Sequence, residues 1–460
     1  PRRFLDANQQ SISFRQAVSS PAAVGTPSMV RLMQTLHSRF GRLSWASSLQ
    51  AAQQTAQQGF AVSPRLHQLL SVDQRLRHSN AAQRFYPNGQ PLAVGTHYTN
   101  PAYAHHLVQL AQHGADWFYR GESAQAIVTA LGDQQGLVSR EDLSHYQVIE
   151  HTPICLPIER HHVCGVAGSS SGGVSVLQAL KMLEGHWTDN TPERFTRLTN
   201  AQALAFADRN AYLADPDFVS VPFQQLLDPQ YLKQRQTQAL EPNALGNPTA
   251  GLFAQAASAA GVDTPNTSHI SVVDQYGQAA SLTLSIESAF GSQIWVEAGG
   301  FFLNNQLTDF SFQPHDNGQL VANRVQGGKR PRSSMSPTLV LDQSQTQVIG
   351  VIGSPGGSQI IGFVTHALWQ LLNQQSVAQV LNTGHVLRRG QSTELESDRF
   401  DFSMQHALAQ RGHRLISQPM TSGLAIIWRD AQGQWVAGAD PRREGTAQLA
   451  PSTKSIPNQD

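Results

Sequence analysis

Two hydroxyl side chains, those of Thr267 and Ser285, have the residue types and spacing that best suit nucleophilic chemistry. Polar and apolar residues alternate in the stretches that carry them, which predicts two antiparallel strands. Between the strands, residues 275–277 end in a glycine and suit a three-residue hairpin loop. With that loop Asp274 faces Gln278, and counting outward places Thr267 directly opposite Ser285.

The polar face of this hairpin has two interpretations. The first is a half-solvated hairpin that turns its serine and threonine side chains to water. The second is a nucleophile, and an unassisted hydroxyl needs a base beside it. A cut between Asn266 and Thr267 would supply that base, because a chain-terminal amino group has a pKa of about 7.7–8.0. The Thr267 hydroxyl could make the cut itself, by attacking the carbonyl of Asn266 and passing through an ester.

Several longer motifs accompany the hairpin in a fixed order. They are FADR (206–209), DPDFV (215–219), GGFFLNNQLTDF (299–310), KRPRSSMSPT (329–338), GSPGGS (353–358) and ADPRREG (439–445). With these motifs the chain resembles the γ-glutamyltranspeptidase family, of the N-terminal nucleophile hydrolase superfamily. The resemblance extends over nearly the whole chain.

The resemblance implies a role for each matching residue. Thr267 would be the nucleophile and, after cleavage behind Asn266, the new N-terminus, with Ser285 hydrogen-bonded to it. The other implied roles are binding the α-ammonium group of the donor (Gln306 and Asp309, with Glu287 beside them), binding its α-carboxylate (Ser333 and Ser334) and forming the oxyanion hole (Gly356 and Gly357). A fixed carboxylate is the natural partner of an ammonium group. Two glycines at a strand-to-helix turn can point N–H groups at one acceptor, and a tight turn without a ligand is the alternative.

The chain departs from the family pattern at several positions. Ser285 stands where the family usually has Thr, Glu287 where many members have Asn, and Thr308 where many have a second Asp. The loop at 311–328 is shorter than in members with a lid. In the family, an arginine that grips the substrate carboxylate precedes the position matching Pro1, and neither of the two arginines that follow Pro1 matches it.

The implied activity is that of a self-processing γ-glutamyl transferase or hydrolase. It would cleave γ-glutamyl amides such as glutathione through an acyl-enzyme on Thr267, which passes to water, an amino acid or a peptide. A glutaryl or cephalosporin-type acylase of the same fold is the close alternative, and an inactive scaffold is the third. Asp309 favours an ammonium-bearing donor. No cofactor is implied.

The resemblance also implies an α+β fold, a four-layer α/β/β/α sandwich. Residues 1–266 would form the N-terminally incomplete part of a large subunit, and 267–460 a small subunit that begins at the nucleophile. Together they would make one domain from one precursor. Residues 236–265 are the most linker-like part of the chain, where a cut end would have freedom to move away.

Local signals predict further elements around these motifs. Pro27 is expected as a first helical residue, and Ser44 as the cap of a helix that ends at Gln58. Residues 146–166 and 301–307 are predicted as strands. The Ser/Gly run at 169–173 precedes a helix and suits an ordinary cap or an anion site.

Composition excludes several classes of partner. Charged residues are 14% of the chain and the formal net charge is zero, against roughly 25% charged residues in typical domains. Without a basic run, nucleic acid and anionic membranes are not expected as main partners. No apolar stretch approaches the ~20 residues of a membrane span. The 18 histidines show no metal-ligand spacing, and the start, without Met or a signal-like segment, suggests a fragment or a processed form.

The two cysteines, Cys155 and Cys164, flank a weakly alternating segment centred on Glu159 and Arg160. A two-residue turn at the centre would place the cysteines opposite each other. A hairpin disulfide is one interpretation, and two free buried thiols are the other. A disulfide fits an oxidising compartment, so the expected location is periplasmic or extracellular.

Overall fold

The computed structural model describes residues 2–132, 137–253 and 266–450. The α-helices before residue 150 are Phe14–Val18 (α1), Met29–Phe40 (α2), Trp45–Gln58 (α3), Pro64–Val72 (α4), Ala82–Phe85 (α5), Pro101–His113 (α6), Ala115–Arg120 (α7), Glu122–Leu131 (α8) and Arg140–Ser144 (α9). The later ones are Gly172–Leu183 (α10), Thr191–Tyr212 (α11), Phe223–Leu226 (α12), Pro229–Ala239 (α13), Gln359–Leu372 (α14), Val377–Asn382 (α15) and Phe402–Gln410 (α16).

The strands lie mostly in the second half of the chain. The first eight are Phe60–Ala61 (β1), His97–Tyr98 (β2), Ile154–Ile158 (β3), His161–Gly165 (β4), Ser268–Val273 (β5), Ala279–Leu284 (β6), Trp295–Val296 (β7) and Phe301–Phe302 (β8). They are followed by His315–Asp316 (β9), Gln319–Leu320 (β10), Thr338–Leu341 (β11), Val348–Gly353 (β12), Val386–Arg388 (β13), Thr393–Glu396 (β14), Leu415–Gln418 (β15), Ala425–Arg429 (β16) and Trp435–Ala439 (β17).

A six-stranded antiparallel sheet forms the centre of the molecule, in the order β17-β16-β12-β11-β4-β3. Helices α10, α11 and α14 pack together over one face of this sheet and enclose the largest apolar core. Helix α14 is apolar almost all round and nearly every residue of it is buried, as expected of a helix inside a large core.

The hairpin of β5 and β6 stacks on the opposite face of the six-stranded sheet. Ser271 donates a hydrogen bond to the carbonyl of Ala425 in β16 at 2.9 Å. Ser281 donates to the carbonyl of Ile352 in β12 at 3.1 Å. Helices, sheet and hairpin are thus stacked layers of an α+β fold, and that predicted class is confirmed.

The hairpin turns its polar face inward and its apolar face outward, the reverse of a hairpin with a solvated polar face. Its hydroxyl-bearing face is turned towards the six-stranded sheet, while Ile270 and Val272 on the other face are each 49% exposed. Of the two interpretations of the polar face, the half-solvated hairpin that turns its serines and threonines to water is therefore wrong. The inward hydroxyls find carbonyl acceptors on the sheet, which satisfies polar groups that burial would otherwise leave unpaired.

A second, mainly helical lobe precedes the central sheet in sequence. Helices α3, α6, α7 and α8 pack around an apolar cluster that also takes in Val296 and Leu303. The chain after β6 therefore runs into this lobe before it returns to the central sheet. Residues 254–265, the C-terminal part of the predicted linker, lie outside the described residues.

Several predicted boundaries need correction. Pro27 is not the first helical residue, because α2 begins at Met29 after Ser28. The strand predicted at 301–307 is only Phe301–Phe302, and a 3-10 turn at Gln306–Asp309 follows it. Of 146–166, only β3 and β4 are strands. The helix capped by Ser44 does end at Gln58, where Gly59 has a φ of +85°.

The two cysteines are joined in the hairpin of β3 and β4. Cys155 is paired with Cys164 across the two strands, and the sulfur atoms are bonded. Glu159 and Arg160 form the two-residue turn, which is the register that the alternation predicted. In the described ranges, no helix is long and apolar enough to cross a membrane.

Candidate active site

The hairpin register brings Thr267 and Ser285 together. Ser271 lies opposite Ser281 and Ser268 opposite Leu284, so the predicted register is confirmed and Thr267 faces Ser285. The Thr267 hydroxyl donates a hydrogen bond to Ser285 Oγ at 3.3 Å. That distance is long for a hydroxyl pair.

Ser285 forms the centre of a short hydrogen-bond chain. Its Oγ accepts from Thr267 and from the backbone N–H of Glu287, the latter at 2.9 Å. Its own hydrogen is donated to the carbonyl of Asn266 at 3.3 Å. The chain thus runs from the Thr267 hydroxyl through Ser285 to the carbonyl of the Asn266–Thr267 peptide bond.

His269 follows Thr267 by two residues on the same face of the hairpin and fills the space between the hairpin and the central sheet. Its ring nitrogens lie 2.8 Å from Thr283 Oγ1 and 3.1 Å from Ser271 Oγ. A Cβ on Gly353 would come within 2.1 Å of the ring, so only glycine fits there. Burial lowers the pKa of His269 to about 4, and the imidazole is neutral at neutral pH.

We expect this neutral histidine to make the fold sensitive to acid. The pKa of His269 is about 4 in the fold and ~6.5 in an unfolded chain. Between those values the unfolded state binds more protons, so the stability from His269 is present above pH ~6.5 and is lost as the pH falls. Between pH 7 and pH 4, the free energy of unfolding measured in urea should fall by about 3 kcal/mol less in the His269→Gln variant than in the wild type. The control is His315→Gln, at an exposed position; equal slopes for His269→Gln and the wild type would contradict the expectation.

A short 3-10 turn supplies the next two candidates. Gln306 Nε2 donates to Asp309 Oδ2 at 2.6 Å, which fixes both side chains. Gln306 Oε1 is buried and finds no hydrogen-bond partner among the described residues. Thr308 is turned away from them, because its hydroxyl donates to the backbone carbonyl of Asn305 at 2.7 Å. The turn therefore presents one carboxylate and one amide oxygen.

Glu287 has an unusual backbone and a buried carboxylate. Its φ is +71°, a conformation that non-glycine residues rarely adopt and that costs of order 1–3 kcal/mol. The side chain is 4% exposed. Its Oε2 accepts from Asn305 Nδ2 and from Ser288 Oγ, both at 2.6 Å. This arrangement holds the carboxylate beside the Gln306–Asp309 turn.

The segment of Ser333 and Ser334 is held by the Ser/Gly run at 169–173, which leads into α10. Ser171 donates from both its N–H and its hydroxyl to the carbonyl of Ser333, at 2.8 and 2.7 Å. A Cβ on Gly172 would come within 2.4 Å of the Met335 carbonyl, so the glycine permits the close approach. The cap interpretation of 169–173 is confirmed only in part, because Ser170 Oγ accepts from the N–H of Gly172, the first residue of α10, at 3.3 Å. Ser171, at the N-cap position, makes no side-chain cap bond. The hydroxyl instead supports the segment of Ser333.

Gly356 and Gly357 form the turn between β12 and α14. Their φ values are +139° and +58°, and a Cβ on Gly356 would come within 2.7 Å of the Phe363 ring. No backbone carbonyl of the described residues accepts from either N–H. Both N–H groups thus lack a backbone acceptor in the described part of the chain, at a turn that leads into the N-terminus of α14.

These segments meet at one small pocket. Its lining residues are Thr267, Ser285, Glu287, Gln306, Asp309, Ser333, Ser334, Met335, Gly357 and Ile360. Of the residues that the sequence singled out for this chemistry, only Gly356 and Asn266 are not in the lining; Gly356 adjoins Gly357, and the Asn266 carbonyl is bonded to Ser285. Among the residues described, no group of three or more His, Cys, Asp or Glu is arranged to hold a metal ion.

Three contributors were missed from sequence alone. Arg443 donates to the carbonyl of Thr267 at 3.2 Å, and burial lowers its pKa to about 10, so it stays charged at neutral pH. Arg209 donates to Ser334 Oγ at 2.7 Å, and Ser171 supports Ser333. Both arginines lie in motifs that carried the resemblance, FADR and ADPRREG, but nothing in those motifs showed which atoms they contact.

Comparison with known proteins gives a consistent result. The family model of gamma-glutamyltranspeptidase matches residues 1–450. The chain is 30% identical over 453 residues to the glutathione hydrolase proenzyme of Escherichia coli (strain K12), covering 95% of this chain and 77% of that protein. It is 28% identical over 446 residues to the acylase ACY 1 proenzyme of Pseudomonas sp. (strain SE83), covering 95% and 77%.

The fold of the chain is also that of a solved acylase. The crystal structure of cephalosporin acylase from Bacillus halodurans superposes with a TM-score of 0.80, covering 93% of this chain and 78% of that one, at 24% sequence identity. This likeness shows the fold, an α+β architecture of the N-terminal nucleophile hydrolase type. Because the family model spans almost all of the sequence, the chain belongs to the γ-glutamyltranspeptidase family.

Proposed function

We propose that this protein is a self-processing γ-glutamyl transferase or hydrolase that acts on γ-glutamyl amides such as glutathione. The observation that carries the proposal is the convergence, in one pocket, of a hydroxyl pair, a carboxylate-bearing turn and a serine pair. These three groups match the scissile carbonyl, the α-ammonium and the α-carboxylate of a γ-glutamyl donor. Relatives named glutathione hydrolase proenzymes support the same assignment.

Processing would begin at the Asn266–Thr267 peptide bond. The Thr267 hydroxyl attacks the Asn266 carbonyl carbon, its proton passes to the departing Thr267 nitrogen, and an ester links Asn266 to Thr267 Oγ1. Water then hydrolyses this ester, which leaves an Asn266 carboxylate and a free Thr267 amine. The hydrogen bonds from Thr267 to Ser285 and from Ser285 to the Asn266 carbonyl suit both the proton movement and the polarisation of the carbonyl.

The freed amine would then serve as the base for turnover. Thr267 Oγ1 attacks the γ-carbonyl of the donor, its proton is taken by the amine and delivered to the leaving nitrogen, and an acyl-enzyme forms. The N–H groups of Gly356 and Gly357 would stabilise the oxyanion. Water or the amine of an amino acid or peptide then attacks the ester and releases glutamate or a new γ-glutamyl amide.

The donor's α-ammonium is best matched by the turn of Gln306 and Asp309. Asp309 supplies the charge, and the buried Gln306 Oε1 lacks a donor among the described residues. A buried acceptor left unpaired costs about 1–3 kcal/mol. An ammonium group would satisfy it, whereas a glutaryl group, which has no amine, would not. This favours a γ-glutamyl donor over a glutaryl donor.

The remaining parts of the proposal concern subunits and location. Residues 1–266 belong to the large subunit and 267–460 to the small subunit, and the two arise from one precursor and stay together as one domain. The disulfide suits an oxidising compartment, so we propose a periplasmic or extracellular location.

The test is an intact-mass measurement under denaturing and reducing conditions, followed by turnover of two p-nitroanilides. We expect two chains that divide between Asn266 and Thr267, and faster turnover of the L-γ-glutamyl than of the glutaryl compound. Preference for the glutaryl compound would favour the acylase, an activity named for one relative of comparable sequence identity. A single uncut chain that turns over neither compound would favour an inactive scaffold.

A further inference from the structure

Arg209 lies directly behind the serine pair of the pocket. It is 6% exposed and comes from α11. Its Nε donates to Ser171 Oγ at 2.8 Å, and its Nη2 donates to Ser334 Oγ at 2.7 Å. One planar guanidinium therefore holds two serine hydroxyls at once, and it reaches Ser334 across 125 positions of sequence.

The direction of these hydrogen bonds follows from the chemistry of the groups. A guanidinium has donors only, and a serine hydroxyl has one hydrogen and two lone pairs. Ser334 Oγ must therefore accept from Arg209, and its hydrogen must point elsewhere. Ser334 lines the pocket, so its hydroxyl can offer that hydrogen to an anionic occupant.

The same guanidinium also holds Ser333, the other serine of the pair, through Ser171. Ser171 Oγ accepts from Arg209 and donates to the carbonyl of Ser333. Arg332 donates to the backbone carbonyl of Arg209 at 2.9 Å, which holds α11 against the segment of Ser333 and Ser334. Neither serine of the pair lies in a strand, and their position is thus set by the contacts with Arg209 of α11 and with Ser171.

We propose that Arg209 is a positioning residue for the donor's carboxylate, acting through the hydroxyl of Ser334. It holds the hydroxyl as a donor towards the pocket and adds a buried positive charge behind it. The inference rests on the proposed function, but a glutaryl donor carries a carboxylate at the same place, so it applies equally if the enzyme is an acylase. Arg209 precedes Asn266 and Ser334 follows it, so the contact would also join the two subunits.

The test compares Arg209→Gln, Arg209→Lys and Ser334→Ala on donors with and without the carboxylate. The probes are L-γ-glutamyl- and glutaryl-p-nitroanilide, which carry the carboxylate, and γ-aminobutyryl-p-nitroanilide, which lacks it. For the better carboxylate donor we expect Arg209→Gln to lower kcat/KM by about 10- to 100-fold, mainly through KM. Arg209→Lys should lower kcat/KM less than Arg209→Gln does, since lysine keeps the positive charge but cannot donate to both serine hydroxyls with the geometry of a guanidinium.

Three comparisons make the result specific. Arg209→Gln should change kcat/KM for the γ-aminobutyryl compound only slightly. Adding Arg209→Gln to Ser334→Ala should lower kcat/KM for the carboxylate donor much less than Arg209→Gln does in the wild type, because Arg209 acts through Ser334. Arg388→Gln is the matched control, since Arg388 is a buried arginine (2% exposed) outside the pocket lining. It should leave the ratio between donors unchanged.

The outcomes separate this inference from the proposed function. If the wild type turns over the L-γ-glutamyl donor faster than the glutaryl donor but Arg209→Gln slows all donors equally, or if the two substitutions are additive, the positioning role is wrong and the proposed function stands. If Arg209→Gln fails to fold, the affinity of the Arg209→Lys variant for glutamate and glutarate is measured instead. An affinity equal to that of the wild type would also overturn the positioning role. Wild-type turnover of neither carboxylate donor would overturn both.

Discussion

Thr267→Ala is expected to remain a single uncut chain and to lose turnover by about four orders of magnitude or more. The substitution removes the hydroxyl that attacks both the Asn266 carbonyl and the donor. Without the cut, the α-amino group of residue 267 stays in a peptide bond and cannot act as a base. Intact mass and γ-glutamyl-p-nitroanilide hydrolysis measure the two losses separately.

Thr267→Ser is the matched control, because it keeps the hydroxyl and removes only a methyl group. It should still divide behind Asn266, more slowly than the wild type, and retain measurable turnover. Two chains of the expected masses from Thr267→Ala would mean that another group makes the cut. Wild-type rates in Thr267→Ala would mean that Thr267 is not the nucleophile.

Asp309→Asn is expected to lower kcat/KM for the γ-glutamyl donor by about 100- to 1000-fold. The amide keeps the shape of the side chain and an acceptor for Gln306 Nε2, which now bonds Asp309 Oδ2 at 2.6 Å. It removes the negative charge that would pair with the α-ammonium group. A glutaryl donor has no ammonium, and its kcat/KM should change less than about threefold, since no charge pair is lost. Steady-state kinetics with both p-nitroanilides measure the difference.

Asp316→Asn is a suitable control, because Asp316 is an exposed residue of β9 and should affect neither donor. Equal losses on the two donors would assign Asp309 a structural role, through its bond to Gln306, rather than an ammonium-binding one. A gain on the glutaryl donor would show that the charge now works against acylase activity.

Much of the local geometry follows from the sequence. A strand has a side-chain period of two, and a turn of known length fixes the register, so alternation and Gly277 were enough to set Thr267 opposite Ser285. The same reasoning placed Cys155 opposite Cys164, and the structure decided for the disulfide over two free thiols. The motifs and their resemblance to a known family gave the fold class and the pocket residues.

The orientation of the hairpin was decided only by tertiary structure. Alternation shows that a hairpin has two different faces, but not which face meets the rest of the protein. The usual expectation, apolar inside and polar outside, fails here because Ser271 and Ser281 donate to carbonyls of the facing sheet. Ile270 and Val272 are left on the partly exposed side.

The support of the pocket was also beyond the sequence. The Ser/Gly run at 169–173 looks like a helix cap by local rules, yet Ser171 bonds the carbonyl of Ser333, 162 positions away. Arg209 likewise contacts Ser334 only because α11 packs beside that segment. Local chemistry and strand periodicity determined which groups this protein has and how the hairpin pairs them. Which groups hold the pocket in place depended on long-range packing, because hydrogen bonds between distant segments leave no periodic signal in the chain.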